Sequence, residues 1–509
     1  MSRYFYITTP IYYVNDKPHI GHAYTSIACD ALARFKRLDG YDVHFLTGTD
    51  EHGQKVEKSA ITAGVTPQEF VDMVSESFRE LTEELNLSND GFIRTTEPRH
   101  IMAAQAMWDA LIAQGDIYLG SYAGWYSVRD EAFYAEDELV NGFAPTGAPV
   151  EWVEEPSYFF RLSAWQERLL AFYEANPDFI QPEGRRNEVI SFVKGGLHDL
   201  SVSRTTFGWG VPVPNAPEHV MYVWLDALTN YLTELGYPDM HNPTFTNFWR
   251  SGETIHVVGK DILRFHTVYW PAFLMSAGVP VVDRVFAHGW WTNEGQKISK
   301  SIGNVIKPVQ LVETYGLDAT RYFLLREVPF GNDGNFSSMA MVQRINSELA
   351  NTLGNLAQRT LAMVQKHVGG CVPSNTARIE AVDAPIEAAI YDLINKVRPA
   401  MEGLKFHYAL ELMMELGRLL NEYIDAQAPW NLRKTDVPRM EAVLYVLMEG
   451  LRCLGICLQP FVPRAASLWL EQLGVAEDAR LCIHASAQYR LHSGATVPEP
   501  QPIFPRFEV

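Results

Sequence analysis

Two short runs in this chain could do phosphate chemistry. His19-Ile20-Gly21-His22 places two imidazoles and a glycine within four residues. Imidazoles can donate hydrogen bonds to phosphate oxygens as charge builds up in a transition state. Gly21 would let a nucleotide lie against the backbone. Much later, Lys297-Ile298-Ser299-Lys300-Ser301 follows the polar turn Thr292-Asn293-Glu294-Gly295-Gln296. Two lysines on such a loop can neutralise a triphosphate while pyrophosphate leaves, and Gly303 allows the loop to bend. Singly, each run has a plainer explanation: histidines satisfied in a turn, or a solvated basic loop. Together, in this order, they point to nucleotide chemistry.

The surrounding pattern predicts the elements that must hold them. Tyr4 to Tyr13 is rich in aromatic and β-branched residues, as a buried strand should be. From His22 onward Ile27, Ala31, Phe35 and Leu38 recur at helical spacing, and Gly40 stands where a helix-ending glycine belongs. Asp42 to Thr47 reads as a second strand, so the first histidine pair falls between a strand and its crossover helix. The carboxyl ends of strands in an open parallel sheet bind nucleotides, and a helix N-terminus offers N–H groups to phosphate. Tyr118 to Pro212 is different: short aromatic runs, Pro and Gly punctuation, and one helix near Ala164 to Ala175 mark it as inserted. The α/β pattern resumes with a helix at Val223 to Leu235, a strand at Thr254 to Gly259, a helix at Phe265 to Ala277 and a strand at Arg284 to His288. From about Met339 the pattern is helical almost to the end, punctuated by Pro429, Pro438, Pro460 and Pro463.

Composition narrows the classes. A chain of 509 residues needs more than one core. No run of eighteen uncharged apolar residues occurs, so no membrane span is expected. The N-terminus lacks a basic region and a cleavage site, so export is not expected. Cys29, Cys371, Cys453, Cys457 and Cys482 form no Cys-x-x-Cys pair, and a reducing cytoplasm fits them. Cys453 and Cys457 read as two small buried residues on one helix face. The net charge of -19 argues against nonspecific coating of nucleic acid but leaves room for a local basic face.

His-Ile-Gly-His early and Lys-Ile-Ser-Lys-Ser late resemble the two signatures of the class I aminoacyl-tRNA synthetases. The resemblance implies an α/β fold: a split Rossmann-like parallel sheet with a connective insertion, followed by an all-helical anticodon-binding domain. The expected boundaries are 1–117 and 213–291 for the two catalytic halves and 118–212 for the insertion. A signature-loop and stem-contact module would occupy 292–338, and the helical domain 339–509. The implied reaction has two steps, attack of an amino-acid carboxylate on the ATP α-phosphorus and transfer of the acyl group to the 3′ end of tRNA. His19, His22, Lys297 and Lys300 would carry it. Gly21, Gly259, Asp261 and Ser299 would join them in binding ATP, with Asp261 on the ribose.

The rest of the chain resembles the methionine-specific members. Thr8-Thr9-Pro10-Ile11-Tyr12-Tyr13-Val14-Asn15 is similar to their opening strand, and Phe45 to Gly53 to the end of their second. By that resemblance Pro10, Ile11 and Tyr13 border a methionine pocket and Asp50 binds the α-ammonium. Trp224, Ala227 and Tyr231 are spaced three and four apart and share a helix face. They would enclose the thioether with His266, and Trp270 would pack there. The family's zinc-binding cysteine knuckles are missing: Tyr126 to Glu131 carries none, and no cysteine lies between Cys29 and Cys371. No zinc is therefore expected, while magnesium would accompany ATP.

Asn351, Asn355 and Arg359 make a polar stripe opposite Ile345, Leu349 and Leu356. The family resemblance implies that Asn355 and Arg359 read the anticodon with Trp430 of Gln427-Ala428-Pro429-Trp430, whose indole would stack on a base. Methionine, ATP and tRNA(Met), the initiator included, are the expected partners of a monomer in the cytoplasm. Two alternatives are another class I specificity and a noncatalytic tRNA-binding relative.

Overall fold

The computed structural model describes residues 3–15, 17–130, 132–134, 136–298, 303–374 and 378–508. Ser299 and Lys300 of the second signature lie outside these. The chain divides into two compact units. One contains residues 4–18 and 43–288; the other contains 1–3, 19–42 and 289–509.

The first unit is built on a seven-stranded sheet. Its strands are β1 (Arg3–Thr8), β2 (Tyr12–Tyr13), β3 (Tyr41–Asp50), β4 (Gly91–Arg94), β5 (Ile180–Gln181), β6 (Glu253–Gly259) and β7 (Arg284–His288). β2 and β4 both pair with β3, and from β3 the order runs β1, β6, β7, β5. The β1–β6, β6–β7, β7–β5, β2–β3 and β3–β4 pairs are parallel. Strand order therefore reverses direction between β1 and β6, the place where an open α/β sheet leaves a crevice for ligands at its carboxyl edge. Thr8 and Gly259 end the two strands that flank it. The split parallel sheet expected from the sequence is present, and β7 has the bounds the pattern gave. The long opening strand is not continuous. Pro10 cannot donate a ladder hydrogen bond, and the chain bends there before re-pairing as β2.

The inserted segment forms its own antiparallel sheet, Ile117–Ser127 against Glu151–Phe160, flanked by Ala132–Tyr134 and Leu200–Ser201. It holds two helices rather than one, Gln166–Ala175 and Glu183–Lys194. The second buries only Val189 and Val193, too little apolar periodicity to announce itself. Phe160, Trp165, Leu169 and Tyr173 join the same buried core as Trp108, Trp270 and Phe273.

The second unit contains the helix Ile20–Leu38 and a helical array that runs from Pro308–Tyr315 to Pro463–Gln472. Gly40 takes φ +83 just past the first helix, the left-handed conformation that a terminating glycine supplies. That helix is fixed within the unit by a buried charge cluster. Asp30 accepts from Arg321 at 2.6 Å and from Arg34 at 2.7 Å, and Arg321 also donates to the carbonyls of Pro460 and Phe461. Cys453 and Cys457 are buried on the helix Val437–Leu458, and burial pushes both thiols up. Among the described residues no helix is long and apolar enough to cross a membrane.

Candidate active site

The first signature builds a helix cap from two histidines. His19 is the N-cap of Ile20–Leu38; its Nδ1 accepts from the Gly21 N–H at 3.1 Å. The Nδ1 of His22 accepts from the His19 N–H at 3.1 Å. In a neutral ring the proton must then reside on Nε2. Both imidazoles are thereby set in the tautomer that can donate to a phosphate from Nε2, at the positive end of a helix. The rings lie 4.0 Å apart, and burial together with His19 pushes His22 well below the usual histidine range. A Cβ on Gly21 would come within 2.9 Å of the His19 ring. The glycine is therefore needed for the cap itself, a local reason beyond room for a nucleotide.

Lys297 is exposed on the hairpin Trp291–Asn293, Gln296–Lys297, whose turn uses Glu294 and Gly295 at φ +48 and +78. Asn304 donates to the Lys297 carbonyl at 3.0 Å, and Asn293 donates to the Asn304 carbonyl at 2.9 Å. These bonds close the base of the signature loop. Gly303 at φ +74 provides the bend that its type suggested.

In the first unit, β3 ends on Asp50, and the register sets Tyr13 beside it. The next two residues are engaged elsewhere. Glu51 is held by Arg94 through bonds of 2.7 and 3.1 Å, and His52 meets Asp226 at 2.7 Å. Asp50 is buried at the strand end. Pro10 is buried and Ile11 half-buried between β1 and β2.

Across the sheet's carboxyl edge, the helix Val223–Thr233 carries Trp224, Ala227 and Tyr231. A π-helical turn, Phe265–Tyr269, carries His266. The sequence reads this stretch as one regular helix; the extra residue per turn is a feature often found at functional sites. His266 Nδ1 faces the Ile262 carbonyl at 3.0 Å, so it donates there and leaves Nε2 as an acceptor. Tyr231 donates to that nitrogen at 2.8 Å. Burial lowers His266 to about 4, so the ring is neutral near pH 7. Trp224 stacks on Phe265 with centroids 3.8 Å apart and meets His266 edge-on at 6.0 Å. Trp270 lies 6.3 Å from Tyr231. The result is a dry aromatic wall with one fixed polar hinge, suited to an unbranched, polarisable side chain.

Sequence reasoning missed the residues behind this wall. His256 on β6 stacks on Tyr231 at 4.0 Å and shares a 2.8 Å hydrogen bond with Thr8 on β1. Tyr6 donates to the Tyr231 carbonyl at 2.9 Å. Both strands are buried on both faces, so no alternation singles these residues out and nothing local marks them as supports. Gly259 ends β6, and a Cβ there would strike the Asp261 carboxylate at 2.5 Å. Asp261 itself is exposed at the sheet's carboxyl edge.

In the helical array, Arg359 lies 5.3 Å over the Trp430 ring and pairs with Asp425 at 2.5 Å. Asn355 is exposed on the same helix, Asn355–His367, and Trp430 is 36% exposed. Asn351 instead accepts from Arg506 at 2.6 Å. At the insertion's tip, where the cysteine knuckle is missing, Asp130 collects bonds from Tyr134, Thr146 and Arg129. Among the described residues no His, Cys, Asp and Glu group could hold a metal ion.

Comparison with known proteins agrees with this layout. The family model of class I tRNA synthetases (M) matches residues 5–149 and 145–361, and that of the anticodon-binding domain of methionyl tRNA ligase matches 372–508. The methionine–tRNA ligase of Rickettsia felis is 58% identical over 100% of this chain and 99% of its own. That of Mesorhizobium japonicum is 54% identical over 99% and 98%. The Mycobacterium tuberculosis methionyl-tRNA synthetase in complex with methionyl-adenylate superposes with a TM-score of 0.96 at 51% identity, covering 99% of this chain and all of that one. Its apo form gives 0.90 at 48% identity, covering 100% and 99%.

Proposed function

The chain belongs to the methionyl-tRNA synthetases, class I enzymes that activate methionine with ATP and charge tRNA with it, and from that premise we propose how its own residues divide the work. Asp50 takes the α-ammonium of methionine in a charge-assisted hydrogen bond. Pro10, Ile11, Tyr13, Trp224, Ala227, Tyr231 and His266 enclose the side chain. The observation that carries this reading is the Tyr231–His266–Ile262 relay. It keeps the imidazole of the wall neutral and fixed, so a thioether enters without meeting a charge.

ATP enters as its magnesium complex. Gly259 and Asp261 receive the nucleoside, Asp261 through the ribose hydroxyls. His19, Gly21 and His22 receive phosphate oxygens, and Lys297, Ser299 and Lys300 the departing ones. The methionine carboxylate oxygen bonds to the α-phosphorus as the bond to the β,γ-pyrophosphate breaks. Charge on the phosphates grows in that step, and donors already aimed at it lower the barrier most. A 3′-terminal ribose hydroxyl of tRNA(Met), initiator or elongator, then attacks the acyl carbon and AMP leaves. Asn355, Arg359 and Trp430 read the anticodon by hydrogen bonds and stacking. Every group invoked belongs to one chain, so a monomer suffices. The Asp130 network ties the insertion's tip together in place of zinc.

Pyrophosphate exchange across the twenty amino acids tests the assignment. Methionine alone should drive it efficiently; comparable exchange with cysteine or leucine would overturn the pocket. Elemental analysis should find no stoichiometric zinc, and one tightly held zinc per chain would contradict the metal-free insertion.

A further inference from the structure

A buried cluster of three titratable side chains stands outside the scheme above. Asp226 is fully buried in the first turn of the helix Val223–Thr233, between Trp224 and Ala227. One carboxylate oxygen faces His52 Nδ1 and the other faces His100 Nε2, both at 2.7 Å. His52 lies two residues past Asp50, and His100 is buried in the first turn of the helix Pro98–Ala113. The second nitrogen of His100 reaches Thr233, on the last turn of the Asp226 helix, at 3.1 Å. Trp209 braces the same turn: its Nε1 donates to the Glu51 carbonyl at 2.6 Å, its carbonyl accepts from Gly53, and its ring meets His52 edge-on at 5.5 Å.

Burial pushes the Asp226 carboxyl up, but charge and hydrogen bonds from His52 and His100 outweigh it and leave the group at about 2. It is therefore an anion, and an ionised carboxylate only accepts, so both imidazoles donate to it. A buried anion with two bound rings is a costly way to join three elements. Apolar side chains of similar volume would often stabilise as well or better. What the carboxylate adds is direction: two lone-pair sites fix two rings at set angles. Two of the three elements it ties together matter for methionine: Asp50 ends the strand that leads to His52, and Trp224, Ala227 and Tyr231 sit on the helix of Asp226 itself.

We propose that the His52–Asp226–His100 cluster is a positioning clamp that sets the distance between the α-ammonium site and the side-chain pocket. Asp226 is its centre and acts through Asp50 and Trp224 without touching substrate. The proposal rests on the methionine-site reading above. Its consequence is selective: loosening the clamp should weaken methionine recognition, which spans both elements, far more than ATP recognition. A misplacement of about 1 Å can cost on the order of a hundredfold.

The test measures KM for methionine, KM for ATP, kcat of pyrophosphate exchange and Tm on full-length variants. Asp226→Asn keeps the shape but must turn an amide N–H toward one imidazole donor. Its methionine KM should rise roughly ten- to a hundredfold, while its ATP KM stays within about twofold. His52→Asn places a side-chain N–H near the position of Nδ1 and should stay within about fivefold of the parent, whereas His52→Leu should match Asp226→Asn. His100→Gln and His100→Leu should split the same way, because glutamine mimics Nε2. Asp50→Ala is the control. If it leaves the methionine KM unchanged, the site reading fails and the clamp with it. If it raises that KM while folded Asp226→Asn does not, the clamp alone is overturned. An equal rise in both KM values for Asp226→Asn also overturns it, since that is the mark of a general structural role. Should Asp226→Asn fail to fold, the His52 pair decides, and equal methionine KM in Asn and Leu variants refutes the clamp.

Discussion

The proposed methionine pocket and the proposed anticodon face around Trp430 are both aromatic, yet they are built in opposite ways. In the pocket each ring is held by another group: Trp224 by Phe265, Tyr231 by His256 and His266, and His266 by Ile262. At Trp430 the ring is open to solvent on one side and has a guanidinium on the other. The ligands proposed for the two regions would explain the contrast. A small apolar side chain is recognised by a cavity that is dry and shaped before it arrives. An unpaired base is recognised by an exposed flat surface with positive charge nearby. Rigidity in the pocket is bought with buried polar groups; openness at the helical face leaves its key side chain partly exposed.

Neither region is assigned the chemistry, and the largest expected effect checks that division. Lys300→Ala should slow single-turnover adenylate formation on the order of a hundredfold, roughly 3 kcal/mol, because it removes a donor to growing phosphate charge. Methionine affinity and tRNA affinity should both stay near the parent values. A variant that lost methionine affinity and kept its rate would place the lysine in the pocket and break the comparison.

Trp430→Ala separates the two regions directly. One stacking contact is worth roughly 1–3 kcal/mol, so charging efficiency through tRNA should fall about ten- to a hundredfold. Pyrophosphate exchange should barely move, and Tm should fall only modestly, because Trp430 is 36% exposed and already partly solvated. Parallel loss of exchange, charging and Tm would make Trp430 a packing residue.

The same contrast explains what the sequence reveals. Helix and strand periods were readable wherever one face is buried, as in Ile27, Ala31 and Phe35, and chain punctuation placed β7 to the residue. The signatures and the residues proposed to line the pocket lie in short runs that a family resemblance can pick out. The supports do not. Asp226 meets His100 across 126 residues and His52 across 174, and no local spacing encodes such a meeting. The π-helical turn at His266 and the sparse helix Glu183–Lys194 escaped for a related reason: tertiary packing, not local propensity, decides them.

Buried rings also give the pocket a pH dependence. Burial holds His266 at about 4 and His256 well below the usual histidine range. The unfolded chain binds a proton at each near pH 6.5, so between that value and the folded one it holds more protons than the native state. Stability is therefore complete above about pH 6.5 and falls as the pH drops. For His266 the loss should reach roughly 2 kcal/mol by pH 5. Urea unfolding at pH 7, 6 and 5 measures it, and His266→Gln should reduce the slope by about one proton. An unchanged slope would mean that His266 is charged in the folded protein.

The smallest effect concerns Ala428, which links the helix Phe406–Gln427 to Pro429–Thr435 at φ +46 and ψ +58. Glycine is the usual residue in such a left-handed cap, and alanine there costs about 1 kcal/mol. The strain is held in place from both sides. Arg439 donates to Gln427 at 2.7 Å while gripping Asp383, and the Asn431 N–H bonds back to the Ala428 carbonyl. Trp430 lies between those two anchors. A backbone that is strained but over-determined can present a ring in one orientation. Ala428→Gly would relieve the strain and add freedom to the unfolded chain, two terms of similar size and opposite sign. Tm should accordingly rise slightly or stay put. Charging should nonetheless fall about two- to fivefold, entirely in KM for tRNA, because the indole is no longer pre-set and part of its stacking energy goes to ordering it. Stability and function moving in opposite directions is an outcome that a packing role for this loop cannot give. If tRNA affinity is unchanged in Ala428→Gly while Trp430→Ala loses it, the ring matters but its strained mounting does not, and the open face needs no preorganisation of the kind the pocket shows.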